Sequence, residues 1–448
     1  MRLQFELNAI RTRLASSLIF QNIVSNYMAA VWMAVLSLVA IPIYLRLLGP
    51  AQWSIVAVCI TFQGILGMLD AGLSQLMPRG LARVAGDNAK EAQGYGLYNR
   101  LYVALAIAGF ALGQLTVHPI VLYWLKAPDV SPLELKLALR LVLFQFLFQF
   151  ANNANIGYWN GVQLQKRANL RLCLFGTAKA ASAVLVVSIF ARNAFGYLLP
   201  FVVVTLVEWR VNRSSILRHF DKLALPPAKV SKSDVLAVAK EGGSLTAGIL
   251  VGVLVSQLDR LYLTATQSLT EYGAYLIVAS FGLAFMQLQY PVLRAFFPQI
   301  VRDEADGIKR RSNSAASLLI GVTIFCVIPC LLLIVFTPEM LRFWLRNRHV
   351  VEVGVAPLRL ILLAVAVNAI YSVIYLRIIA AGRSGVVIVI NGCMLLSAGL
   401  VVSLANPTMG IAIGGLIWIT TTVTQLALGC LWLAFSSSQN RVGSSNCR

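Results

Sequence analysis

The sequence predicts an all-helical polytopic membrane protein, with twelve transmembrane helices in two six-helix halves. Three observations predict it. Hydrophobic residues make up 58% of the 448-residue chain and charged residues only 12%, about half of the roughly 25% usual in soluble domains. Apolar stretches of the ~20 residues that span a bilayer recur along the whole length. Two long segments, 44–83 and 262–302, repeat one another's pattern, and internal repeats of this kind mark transporters with a substrate cavity between their halves.

The N-terminal arm, "MRLQFELNAIRTRLASS", has no short apolar core with a small-residue cleavage site. It reads as a basic, partly amphipathic lead into the first span. Breaks at charges, Gly and Pro then delimit the first six helices at 21–45, 51–76, 98–125, 134–158, 168–191 and 194–217. A polar segment, 218–233, reads as a cytoplasmic linker. The second six follow at 234–263, 270–300, 311–337, 351–381, 384–405 and 409–435, with a cytoplasmic tail at 436–448. The expected domains are therefore residues 1–217 and 234–435. In the repeat Tyr44 meets Tyr262, Trp53-Ser54 meets Tyr272-Gly273, and Arg83 meets Arg302. An even number of spans per half makes the two halves parallel in topology.

A net charge of +20 raises the question of nucleic acid. No polar domain exists to hold a basic run interleaved with aromatics, which speaks against it. Most of the 37 Lys and Arg instead fall on one side of the predicted spans: the N-terminal arm, 79–100, 166–171, 210–240, 302–311, 377–383 and the tail. Both termini are then cytoplasmic, and most of the charge is topology. The seven cysteines lie mostly in apolar stretches and suggest no disulfide framework. Cys326 and Cys330 are one turn apart, but no His or second Cys pair completes a metal site. No cofactor is expected.

Two cations belong to neither surface, Lys179 in "FGTAKAASAV" and Arg294 in "QLQYPVLRAFF". Asp70 interrupts the second span, and Asp259 with Arg260 ends the seventh toward the periplasm. Intramembrane charge is costly and is a functional candidate by default. Polar residues recur at helical spacing on the fourth helix as Gln145, Gln149 and Asn152, followed by Asn153, Asn155 and Asn160. Asn26 on the first helix reads similarly.

Four stretches in chain order carry a family resemblance. These are "NIVSNYMAAVWMAVLSLVAIPIYLRLLGP", "LDAGLSQLMPRGLAR", "SQLDRLYLTATQSLTEYGAY" and "NAIYSVIYLRIIAAGRSG". Together they resemble the Wzx-type polysaccharide flippases of the multidrug/oligosaccharidyl-lipid/polysaccharide exporter superfamily. "QWS" at 52–54 departs from the family's usual Tyr-Gly-like pair. The resemblance implies a V-shaped, MATE-like transporter and not an enzyme. It would move an undecaprenyl-pyrophosphate-linked oligosaccharide repeat unit between leaflets of a bacterial inner membrane, alongside other polysaccharide assembly proteins. Which sugar is carried is not encoded in the pattern.

Such a cargo calls for a polar, cationic cavity. Lys179, Arg294, Gln75 (the repeat-mate of Arg294), Gln145, Gln149, Asn152, Asn153 and Asn26 are its candidate lining. Asp70, Asp259 and Arg260 are candidates for gating or ion coupling, with Asp70 read foremost as partner to a cavity cation such as Lys179. Proton, sodium, membrane potential and downhill use of the lipid-linked sugar stay open as driving forces. A multidrug/cation antiporter of the same superfamily is the nearest rival, although it would favour interior carboxylates over cations. A membrane polymerase or ligase is the more distant one: the longest external connection, near 338–350, is short and basic and resembles an interfacial helix.

Overall fold

In the computed structural model, the structure describes residues 2–70, 72–125, 130–223, 231–290, 292–293, 296, 300 and 314–445. Helices are numbered in chain order: α1 Arg2–Leu66, α2 Leu73–Arg83, α3 Asn88–Pro119, α4 Pro132–Gly161, α5 Gln165–Ile189, α6 Ala194–Lys222 and α7 Lys232–Thr266. They continue with α8 Leu269–Met286, α9 Ser314–Val322, α10 Ile328–Val335, α11 Thr337–Leu345, α12 Arg348–Ala380, α13 Ser384–Leu404 and α14 Ala412–Ser445. Among the described residues, nine helices are long and apolar enough to cross a membrane. One of these, Val24–Asp70, covers most of both the first and the second expected span. At 30 and 35 residues, α4 and α7 stand where the fourth and seventh spans were expected. At 1.5 Å per residue, each reaches about 45 Å or more. The protein is a multi-pass, all-α membrane protein.

Breaks within the helices follow local chemistry. α1 bends at Gly49, where φ is 75° and ψ 169°, a region of backbone space essentially confined to glycine. Pro50 follows and disfavours a helical conformation in the residue before it. The second span, expected as one helix to residue 76, instead ends at Leu66. A 3-10 turn, Gly67–Asp70, and Gly72 with φ 86° come before α2. The eighth expected span likewise pauses after Met286. The same helix-and-break pattern thus recurs in both repeats. The ninth span loosens into a π turn, Thr323–Val327. Pro329 lies just beyond and has no N–H to give the carbonyl four residues back. The segment expected as linker is partly helical, because α6 runs on to Lys222.

Outside the spans, Asp87 caps α3, accepting from the Lys90 backbone N–H at 3.2 Å and pairing with its ammonium at 3.0 Å. The hydrogen bond from Lys90 holds the Asp87 carboxyl below the usual carboxylate range.

The chain forms two compact units. One comprises Met1–Leu48, Phe62–Val121 and Leu133–Thr246. Its core holds Met77, Leu81, Tyr102, Phe146, Phe150, Tyr158 and Trp159. The other comprises Gly49–Thr61, Leu122–Pro132 and Ala247–Arg448. In this second unit α12 packs along α14 and α8. The arm of α1 after Gly49 also belongs to it. Trp53 Nε1 donates to the Gly273 carbonyl at 3.3 Å, and the hydroxyls of Thr61 and Tyr272 bond to each other. A Cβ on Gly273 would stand 3.1 Å from Ser54 Cα, so the absence of a side chain there permits the approach.

Gly49→Ala should destabilise the protein by about 1–3 kcal/mol, because alanine must adopt backbone angles suited to glycine. A thermal melt in detergent checks this, and an unchanged midpoint would contradict the strain.

Candidate functional site

Lys179 is the most consequential of the expected site residues. It lies near the middle of α5, where Thr177, Ala178, Ala180 and Ala181 leave room for close neighbours. α1 uses that room: Tyr44 Oη donates to the Ala180 carbonyl at 2.9 Å and Trp32 Nε1 to Thr177 Oγ1 at 2.9 Å. The Lys179 ammonium points the other way, into the layer of α3, α4 and α6.

There Nζ donates to Glu208 Oε2 at 2.7 Å and to Gln149 Oε1 at 3.1 Å. Lys179 is 13% exposed and Glu208 4%. The second carboxylate oxygen, Glu208 Oε1, accepts from Asn152 Nδ2 at 3.0 Å. Asn152 Oδ1 in turn accepts from Asn155 at 2.9 Å and from Asn212 at 3.0 Å. The two branches end in polar aromatic settings. Asn155 Oδ1 takes the Tyr95 hydroxyl at 2.7 Å, and Asn212 Oδ1 takes Arg171 Nη1 at 2.8 Å. The Arg171 guanidinium lies 5.0 Å above the Trp159 ring. One hydrogen-bonded chain thus ties four helices together around a buried ion pair.

Local sequence explains the register. α5 and α6 form an antiparallel hairpin through Phe190–Asn193, and Asn193 caps α6 by accepting from the Gly196 N–H at 2.9 Å. The hairpin sets α5 against α6, where Lys179 bonds to Glu208 and Arg171 to Asn212. The pairs are eight residues apart on α5 and four on α6, and the long side chains of Lys179 and Arg171 make up the difference in level. Glu208, Asn155, Asn212 and Arg171 were not among the expected site residues. The hairpin register was the available signal for Glu208, since a carboxylate inside an apolar helix needs a partner and Lys179 lies opposite.

The other expected residues are more scattered. Asp70 is not the partner of Lys179, contrary to the sequence expectation. Its Oδ1 accepts from Tyr102 Oη at 2.8 Å and its Oδ2 from the Ser74 N–H at 3.2 Å. It secures the break before α2, because the orphan N–H groups at a helix start recruit an acceptor. Gln145 is buried, Asn153 half-buried and Gln75 exposed. Asn26 joins α1 to α5, donating to Gln165 Oε1 at 2.7 Å and accepting from Asn169 at 2.6 Å. Arg294 lies outside the described residues, as does Pro291.

In the second unit Asp259 is 1% exposed. Its Oδ2 accepts from Tyr275 Oη and from Trp418 Nε1, the latter at 3.0 Å. Arg260 turns away and donates to Gln257 at 3.2 Å. An uncharged amide cluster also forms in this unit. Gln289 Nε2 donates to Asn368 Oδ1 at 3.0 Å, and Asn368 Nδ2 to Gln425 Oε1 at 3.3 Å.

Removing one partner of a buried ion pair strands the other, at a cost of about 3–5 kcal/mol, whereas replacing both with apolar residues is often neutral. Glu208→Ala should therefore lower thermal stability sharply in detergent, and Lys179→Met/Glu208→Leu should recover most of the loss. Equal melting of Glu208→Ala and wild type would show that the pair is not buried as described.

Comparison with known proteins gives this geometry a family. The sequence profile described as polysaccharide biosynthesis protein matches residues 19–303. No curated protein matches the chain. Among solved structures, the lipid II flippase MurJ in an inward closed conformation is similar with a TM-score of 0.73 at 12% identity, covering 94% of this chain and 87% of that one. An inward-facing multidrug resistance MATE family transporter of the MOP superfamily gives 0.66 at 14% identity, covering 91% and 95%. A MOP superfamily transporter from Pyrococcus furiosus gives 0.57 at 12% identity, covering 92% and 95%. At these identities the likeness is one of fold. With the profile covering more than half of its length, the chain belongs to the family of polysaccharide biosynthesis proteins and carries the fold of MOP-superfamily transporters.

Proposed function

We propose that this chain is a flippase, carrying an undecaprenyl-pyrophosphate-linked oligosaccharide repeat unit from the inner to the outer leaflet of a bacterial plasma membrane by alternating access. Both termini lie in the cytoplasm. The observation that carries the reading is the Lys179 ammonium, held mid-helix by Glu208 and Gln149 and still 13% exposed. A diphosphate crossing hydrocarbon needs cationic and hydrogen-bond donors along its route, because charge there is otherwise too costly. Charge-assisted hydrogen bonds to phosphate are among the strongest available. An amide such as that of Gln149 suits the hydroxyls of a glycan. The nearby Asn153 and Gln145 extend that polar face of α4. Family membership supports the glycan, and the fold shared with a lipid II flippase supports a lipid-linked cargo.

The test is complementation in a bacterium lacking its own flippase for the matched polysaccharide. Lys179→Ala should reduce surface polysaccharide about tenfold or more at equal membrane abundance, the loss of one charge-assisted contact of roughly 1.5–3 kcal/mol. Unchanged export would overturn the assignment of Lys179. For orientation, a fluorescent protein fused after residue 448 should fluoresce, and alkaline phosphatase fused at the same point should be inactive. The reverse pair would place the C-terminus outside.

A further inference from the structure

We propose that Glu208 is an exchangeable counter-ion. It takes up a proton when an anionic diphosphate draws Lys179 away, so that binding of the anion is linked to proton uptake. This deepens the reading above and rests on Lys179 as the cation that meets the diphosphate.

The donor count sets up the exchange. An ammonium has three N–H donors, and Lys179 directs two of them to Glu208 Oε2 and Gln149 Oε1. One donor is left, and of the two ionic partners the lysine is the more exposed, 13% against 4%. An incoming anion therefore reaches the cation first. Its phosphoryl oxygens take the free donor and then compete with one carboxylate oxygen and one amide oxygen for the other two.

The consequence falls on Glu208. Without Lys179 its Oε2 has lost its donor, and its Oε1 keeps only Asn152 Nδ2 at 3.0 Å. The Asn152 amide cannot swing toward Oε2, since its Oδ1 is held by both Asn155 and Asn212. No other cation takes the place of Lys179 among the described bonds. Arg171 on α5 is committed to Asn212 Oδ1 and to the Trp159 face. On α6, Arg213 lies over the Trp209 ring at 5.6 Å. α3 offers Tyr95, bonded to Asn155, and Glu91, which accepts from Gly86 N–H and Tyr158. The polar side chains of α4 that reach the pair are amides, and Tyr44 and Trp32 of α1 are engaged on the far side of α5. An almost fully buried carboxylate without a charge partner is driven to its neutral form.

The step balances simply. A proton from bulk water forms an O–H bond at Glu208 Oε2, and the ammonium passes intact to the phosphoryl oxygen. Gln149 Oε1, released by the same Nζ, is then the acceptor beside the new O–H. When the anion leaves, Glu208 returns the proton to water and recovers Lys179.

The test uses the full-length protein in lipid nanodiscs with inorganic pyrophosphate as probe. Titration calorimetry in buffers of different ionisation enthalpy counts protons taken up on binding. The probe's own ionisation is common to all variants, so differences between them belong to the protein. Wild type should take up about one proton more than Glu208→Gln, and over the pH range where it does so its Kd should rise about tenfold per pH unit more steeply. Infrared difference spectra on adding pyrophosphate should show a new protonated-carboxyl C=O band, shifted in Glu208→Asp and missing in Glu208→Gln.

Equal proton uptake in wild type and Glu208→Gln, with binding abolished in Lys179→Ala, overturns the exchange and leaves the Lys179 reading intact. Binding that is absent from wild type or unaffected by Lys179→Ala overturns both. Should Glu208→Gln fail to fold, the wild-type infrared band decides, and its absence overturns the exchange.

Discussion

A bilayer offers buried polar groups no water, so each must find its partner in protein. That constraint organises the first unit around the Lys179 ammonium. The charge requires Glu208, whose second oxygen requires an oriented donor in Asn152. Asn152 stays oriented only because Asn155 and Asn212 hold its carbonyl oxygen. Four helices are committed by a single cation. Apolar packing of the same helices has no comparable specificity, because lipid tails are as apolar as leucine.

The second unit answers the same constraint without a buried ion pair among its described bonds. Asp259 is satisfied on one oxygen by a phenol and an indole, and Gln289, Asn368 and Gln425 form a neutral amide chain. The repeated scaffold therefore carries two different electrostatic interiors. Asp70 and Gln289 show the divergence at matched positions beside the break in each repeat. One accepts from Tyr102 of α3, and the other donates to Asn368 of α12. Among the described bonds, the buried lysine–carboxylate pair lies in the first unit, which is where the proposed diphosphate contact lies.

Much of the fold was legible in the sequence because hydropathy and breakers report it directly. The Gly49-Pro50 boundary and the helix starts near 132, 165 and 194 follow from residue type. Partnerships were harder to read. Asp70 and Lys179 are the conspicuous interior charges of the first half and invite pairing, yet the acid opposite Lys179 is Glu208. That match depends on where a hairpin turns, not on local composition. Breaks inside spans were missed for a related reason. A hydropathy window averages over Gly67 and Gly72, and it cannot see a π turn set by one missing N–H at Pro329.

The placement of residues 49–61 also bears on how the protein is made. Trp53 and Thr61 leave the ribosome early, yet their partners Gly273 and Tyr272 are more than two hundred residues downstream. Chain segments whose native contacts are that distant cannot settle until those partners have been made. The early helical arm must wait in the membrane without these two contacts until the eighth span arrives. Truncations that stop just before α8 should therefore be recognised by quality-control proteases even though seven spans have been inserted. Assembly of the second unit is in this sense an event of the finished chain.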